Sequence, residues 1–377
     1  MAISDSTHSA VDGKKTSLSQ PNGGNGARTW TMSDIAEATG VSVKTVSRVV
    51  RGETGVGAKA RERVSEFIAK VGYHPHLGAR SMRQSMRDCI GVVIPARIDE
   101  VPVSQQFFTR LFAQLYQTFG LKGKYLCFDM NPYERGPADY ARGLWEQRFS
   151  GCVLCGPLST DDTTVHRIHA SGAPYIALGR LDSFPECSCA TVDYDLAAYQ
   201  STEYLIKRGH SRIAMLKGFE GYQPGVERLR GYMRALDAAG LAYDPKLVHS
   251  ASFGANDLAN RTYRLLIESN VTALIDASGA EDAESIRVGC QRAGRIPGRD
   301  IELLSWTYTD SAAVLKEACA HMWLPVWEAA VVGLEQFAEW FEGKRQGPIQ
   351  VVFPPTLYEV VTKGEVQKPQ HLFELLG

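Results

Sequence analysis

Val43, Lys44, Ser47 and Arg48 fall in the run SVKTVSRVV (42–50) at the spacing that gathers them on one face of a helix. Val46, Val49 and Val50 alternate with them and form the opposite, apolar face. Lysine and arginine in a short outward row suit donation to O6 and N7 of guanine. A helix that only closed a corner of a larger core would show a solvated Glu/Lys mixture on that face instead.

Such a row needs a rigid partner. TMSDIAEAT supplies one: Thr31 is placed as an N-cap, Asp34 three residues on completes a capping-box pattern, and Ile35, Ala36 and Thr39 share a face. Gly40 provides the turn and Ser42 caps the second helix. Two short helices in this order form a helix-turn-helix, whose second helix lies in the major groove. A third helix is expected over 58–70, with Val64, Phe67 and Ile68 inward.

Charge is distributed to match. The 377-residue chain has a net charge of −1, yet residues 28–88 carry eleven Lys/Arg against six Asp/Glu, and the remainder is acidic. A basic head on an acidic body is the electrostatic footprint of a DNA reader with a separate sensing domain. The first 28 residues are rich in Ser, Gly and Asn and read as a disordered tail. No apolar leader or membrane-length run is present, so a cytoplasmic location with eight reduced cysteines is expected. Cys152 and Cys155 form a CxxC, but on a strand residues three apart point to opposite faces, which disfavours joint metal binding.

The runs TMSDIAEATGVSVKTVSRVV and KARERVSEFIAKVGYHPHLGARSMR (59–83) resemble the DNA-binding head of the LacI/GalR family of transcription regulators, and weaker matches reach about residue 357. The resemblance implies that Val43, Lys44 and Arg48 read bases while Thr31, Ser42 and Ser47 touch phosphates. It implies a head over 29–72 and a hinge over 73–88 that folds when two copies pair on DNA. Ala79 and Met82 would then enter the minor groove, Met82 standing where the family usually has Leu. His76 and Gly78 are atypical of that segment, and an ordinary linker is the competing reading.

From residue 89, apolar runs alternate with helical patterns, which argues for parallel sheets with helices on both faces. Buried strands are expected at 89–95, 124–129, 151–156, 174–179, 189–193, 212–217, 272–277 and 301–305. The resemblance implies two doubly wound subdomains like those of a periplasmic sugar-binding protein, roughly 89–190 with 319–350 and 191–318 with 351–372. A ligand in such an architecture sits outside the C-terminal strand ends, between the lobes. Gln105, Phe107, Ser159, Arg180 and Asp193 follow such ends. Arg180 and Asp193 could equally form an interlobe ion pair.

GYQPGVERLRGYMRAL (221–236) matches the family's Arg-x-x-Gly-aromatic signature and places Arg228 as an effector residue. Phe253 stands where some members set a ring against the ligand, and is as readily a core residue. Where the family usually reads Gly-Phe-Asp-Asp, this chain has SWTY (305–308), so Thr307 replaces a sugar-gripping carboxylate. Trp306 or Tyr308 could stack on a sugar face instead.

No Walker loop, zinc-spaced His/Cys set or nucleophile elbow is visible, so no enzyme activity, cofactor or metal is expected. The reading is a homodimeric, effector-responsive repressor of a carbohydrate-related operon, binding a near-palindromic operator. Its partners would be double-stranded operator DNA and a sugar or sugar derivative. The alternative is a cytoplasmic sugar-binding protein without a regulatory DNA role.

Overall fold

The computed structural model describes residues 30–50, 52–71, 73, 88–95, 105–129, 140–250, 255–279, 282–308, 317–362 and 365–366. The chain divides into two compact units, residues 1–79 and 80–377.

In the first unit, α1 (Met32–Thr39), α2 (Val43–Val50) and α3 (Ala58–Val71) surround a small core. The capping box forms: Thr31 Oγ1 accepts from the Asp34 N–H at 3.2 Å, and the Asp34 carboxylate accepts from the Thr31 N–H at 2.7 Å. Gly40 ends α1 in the left-handed region at φ 64°, which only glycine adopts without cost. Ser42 Oγ accepts from the Thr45 N–H at 3.2 Å and so starts α2. Ile35, Ala36, Val46, Val49, Val64 and Tyr73 are buried together, with Phe67 and Ile68 packed on their edge. Trp30 meets Phe67 edge to face, with ring centres 5.2 Å apart.

The second unit contains two sheets. β1 (Cys89–Val93), β2 (Tyr125–Asp129), β3 (Gly151–Leu154), β4 (Tyr175–Ala177), β5 (Cys189–Val192) and β11 (Gln350–Phe353) form the first, in the order β11-β5-β4-β3-β1-β2. Every pairing in it is parallel. Helices α4 (Gln105–Thr118) and α11 (Val326–Phe341) cover one face, while α5 (Arg142–Trp145) and α6 (Thr164–Ala170) cover the other.

The second sheet runs β13-β12-β10-β9-β8-β6-β7. Its strands are β6 (Ile213–Leu216), β7 (Val248–His249), β8 (Ala273–Asp276), β9 (Glu302–Thr307), β10 (Ala320–Trp323), β12 (Thr356–Thr362) and β13 (Glu365–Val366). Only β12 and β13 join antiparallel. α7 (Tyr194–Lys207) and α8 (Gln223–Ala238) pack on one face; α9 (Ala255–Glu268) and α10 (Ala283–Arg292) pack on the other.

Among the described residues the chain crosses between lobes three times: at Asp193, at Leu324–Pro325 and at the Pro354–Pro355 pair. A boundary near 318/319 therefore misassigns Ala320–Trp323. That strand pairs with β9 and buries Ala320 and Met322 beside Leu304 in the second lobe, and Pro325 ends it. A boundary at 350/351 likewise splits β11, which belongs whole to the first sheet.

The 124–129 strand also differs from expectation. Among the described residues β2 is an edge strand, paired only with β1, and leaves Tyr125 and Phe128 exposed. Cys152 and Cys155 do face opposite sides of the first sheet, each in a different core.

Candidate functional site

On the head, α2 presents its outward row as the spacing requires. Val43 is 46 % exposed and Lys44 is exposed, while Val46 and Val49 are buried. Arg48 is partly exposed, its Nε 3.8 Å from Glu53 at the start of the following loop. Ser42 is exposed and Ser47 half-buried. The Thr31 hydroxyl is engaged with Asp34. Ala79 and Met82 lie outside the described residues.

In the two-lobed unit, the C-terminal strand ends converge where the crossings run, and Arg228 is the residue on which the site is built. It sits in the second turn of α8, 7 % exposed, with its guanidinium packed against the rings of Tyr194 (4.8 Å to the ring centre) and Trp306 (5.3 Å). The two rings are parallel within 8° and 6.4 Å apart. Each such contact is worth roughly 0.5–2 kcal/mol. Nη1 donates to the Lys217 carbonyl at 3.2 Å. Nε is buried and has no hydrogen-bond partner among the described residues. Burial holds the guanidinium pKa below its ordinary value.

The motif's glycine has a packing reason. A Cβ on Gly231 would fall 2.0 Å from the Asp195 carbonyl oxygen and 3.0 Å from Ala198 Cβ. Its absence lets α8 press against α7, which brings Arg228 beside Tyr194.

Asp276 ends β8 nearby, 6 % exposed. It accepts from the Ser278 N–H at 3.1 Å and from the Ser278 hydroxyl at 2.7 Å. Burial raises its carboxyl pKa, against the pull of those bonds and of Arg228. His321 is 2 % exposed, and its Nδ1 is unbonded among the described residues.

Arg180 and Asp193 are an ion pair at 3.4 Å, but the stronger partner of Arg180 is Glu227. Nε and Nη2 of Arg180 donate to the two Glu227 oxygens at 3.0 and 2.8 Å. Burial acts to lower the Arg180 pKa, yet the bonds and charge of Glu227 outweigh it and the net shift is upward. Burial also raises Glu227, against Arg180. Asp193 additionally caps α7, accepting from the Leu196 N–H at 3.0 Å.

Ser159 touches the other lobe: its hydroxyl reaches the Gly221 carbonyl at 3.3 Å and also bonds Asp161. Trp306 is 3 % exposed with Nε1 on Ser201 Oγ at 3.0 Å, so its ring backs Arg228 and offers no open face for a sugar. Tyr308 is half-buried, donating to the Gly279 carbonyl at 2.7 Å. Gln105 and Phe107 open α4, their side chains outside the described residues, as is Phe253.

The structure thus gathers Arg228, Trp306 and Tyr308 of the second lobe, Arg180 of the first and Asp193 at a crossing where the lobes meet. Glu227, Tyr194 and Asp276 join them, unforeseen by motif reading. An acidic residue closing the apolar run TALID was the available signal for Asp276. Among the described residues no group of His, Cys, Asp and Glu is placed to hold a metal ion, and no helix is long and apolar enough to cross a membrane.

A helix-turn-helix head followed by a two-lobed, mostly parallel α/β body defines a ligand-responsive DNA-binding regulator. The chain belongs to the lacI family of bacterial regulatory proteins: residues 31–76 match that family's head, and residues 88–329 match the periplasmic binding proteins and sugar-binding domain of the LacI family. It is 30 % identical over 292 residues to the HTH-type transcriptional regulator CelR of Thermobifida fusca, covering 74 % of this chain and 82 % of that one. It is 30 % identical to the HTH-type transcriptional repressor PurR of Vibrio atlanticus, over 59 % of this chain and 65 % of the relative. The lac repressor dimer bound to operator superposes with a TM-score of 0.71 at 20 % identity, covering 89 % of this chain and 99 % of that one, a likeness of fold.

Proposed function

We propose that the protein is a cytoplasmic, homodimeric repressor of a carbohydrate-related operon, not an enzyme, which binds a near-palindromic operator and responds to a sugar or sugar derivative between its lobes. The observation that carries the DNA half is the division of α2: Val46 and Val49 fully committed to the head core, Val43 and Lys44 facing outward. In this reading Val43, Lys44 and Arg48 contact bases; Thr31, Ser42 and Ser47 contact phosphates; and the hinge over 73–88 sets Ala79 and Met82 in the minor groove.

Arg228 supports the effector half, since a guanidinium with an unmet donor at the strand ends suits hydroxyl or carboxylate oxygens. Arg180, Asp193, Ser159, Tyr308, Gln105, Phe107 and Phe253 complete the proposed cleft, with Trp306 as a backing wall. The solved complex of CelR with cellobiose, 24 % identical at a TM-score of 0.60, makes disaccharides the first class to try. A dimer is supported by the exposed aromatics Phe112, Tyr116, Tyr125 and Phe128 on α4 and β2, an apolar group of the kind that marks an interface.

Gel retardation with DNA upstream of the neighbouring genes, with and without cellobiose, other sugars and sugar acids, tests this reading. Sequence-specific binding altered by one of them is expected. Binding that is indifferent to sequence would remove the repressor assignment.

A further inference from the structure

We propose that Arg180 and Glu227, backed by Asp182 and Arg230, form an ionic latch between the two lobes, and that α8 carries this latch and the effector arginine on neighbouring residues. The second half rests on the reading of the cleft as the effector site; the first does not.

The geometry is specific. Arg180 and Asp182 lie in the first lobe, in the loop between β4 and β5. Glu227 and Arg230 lie on α8 of the second lobe. Arg180 grips Glu227 through two parallel bonds, at 3.0 and 2.8 Å, the fork-to-fork form that fixes orientation as well as distance. The Glu227 side chain is 1 % exposed, so solvent screens the pair little. One turn along, Arg230 bridges Asp182 of the first lobe and Asp195 of α7, and Arg234 also holds Asp195.

Beside these charges the backbones join across the cleft. Thr160 N–H donates to the Gly221 carbonyl at 3.0 Å, and Gln223 N–H donates to the Leu158 carbonyl at 3.0 Å. Gln223 also reaches Glu227 Oε1 through its side-chain amide at 3.4 Å.

The charges are buried while the lobes touch and hydrated once they part. Desolvation of Glu227 is offset chiefly by Arg180, with the longer Gln223 bond a lesser contribution, so the charged pair forms and breaks as a unit. On a helix, consecutive residues point about 100° apart. Glu227 therefore faces the first lobe while Arg228 faces the rings of Tyr194 and Trp306. A ligand held by Arg228 and covered by the first lobe is bound to the latched arrangement, and can shift the lobes only by that preference. The latch sets how much of the unliganded protein already occupies that arrangement.

Hydrogen exchange on the full-length protein tests the latch without a ligand, reading the amides of Thr160 and Gln223. Glu227→Gln is expected to speed both at least tenfold while the β6 and β8 amides keep their rates. Arg180→Gln, at the more exposed end, should do the same. The double variant should exchange no faster than the faster single, because the two side chains act as one pair.

Unchanged exchange in either folded variant, or additive effects in the double, would overturn the proposal. If Glu227→Gln accelerates the whole second lobe, it has unfolded, and Arg180→Gln alone decides. Cellobiose titration of Arg180→Gln then examines the second half. Binding weakened severalfold is expected, and unaltered binding would leave the latch but detach it from the effector. Failure of the parent protein to bind cellobiose would count against the sugar assignment and not against the latch.

Discussion

Arg228 combines two demands that normally conflict. Its charge is buried, which lowers its pKa, and it has one donor without a partner among the described residues. Parallel aromatic faces offset part of the desolvation and leave the unmet donor for another molecule. Replacing Arg228 by Met keeps the packing against Tyr194 and Trp306 but removes the charge. The melting temperature should stay at or above that of the parent, while the effector response disappears; calorimetry and operator retardation read the two separately. A large fall in melting temperature would make Arg228 a structural residue.

Arg48 is of a different kind, lying on an exposed surface beside Glu53. Arg48→Ala should leave folding intact and weaken cognate-operator binding by about 1–3 kcal/mol, relaxing specificity at one base pair. Equal weakening on random DNA would show a phosphate contact.

At the level of elements, the packing of α7 on α8 matters most, because it sets Tyr194 beside Arg228 and Asp195 beside Arg230. That packing depends on the missing side chain of Gly231. Gly231→Ala puts a methyl group into backbone, which cannot yield as a flexible side chain can. It should cost about 1–3 kcal/mol in denaturant unfolding. It should also weaken effector binding more than operator binding, since the head folds on its own core.

For the whole molecule, what matters is how two copies assemble. The aromatic face on α4 and β2 runs from Phe112 and Tyr116 to Phe128, with the Phe112 and Phe128 rings 4.9 Å apart. A charge at its centre should break a dimer that uses this face. Phe128→Asp is expected to sediment as a folded monomer at micromolar concentration. It should lose the preference for palindromic over single half-sites, which depends on two linked heads. A dimer that persists in this variant would place the interface elsewhere.

Much of this was legible in the residues because the interactions behind it are local. The capping box spans Thr31 to Asp34, the turn rests on Gly40, and the apolar face of α2 repeats every three to four residues. The eight apolar runs from Cys89 onward became strands for the same reason, since an apolar run announces a strand through its own side chains, although the one at 124–129 proved not to be buried. What the tertiary structure decided is whatever depends on neighbours far along the chain. Arg180 could be seen to sit at a strand end, but its partner Glu227 lies 47 residues away. Ala320–Trp323 joined the second sheet because β9 offered it a pairing edge, and β2 stayed exposed because no strand among the described residues lies beyond it. Trp306 passed from candidate sugar platform to buried wall by the same logic. Hydrophobic pattern sets which face of a strand is apolar, but only the packed neighbours, Ser201 and Arg228, settle what covers it.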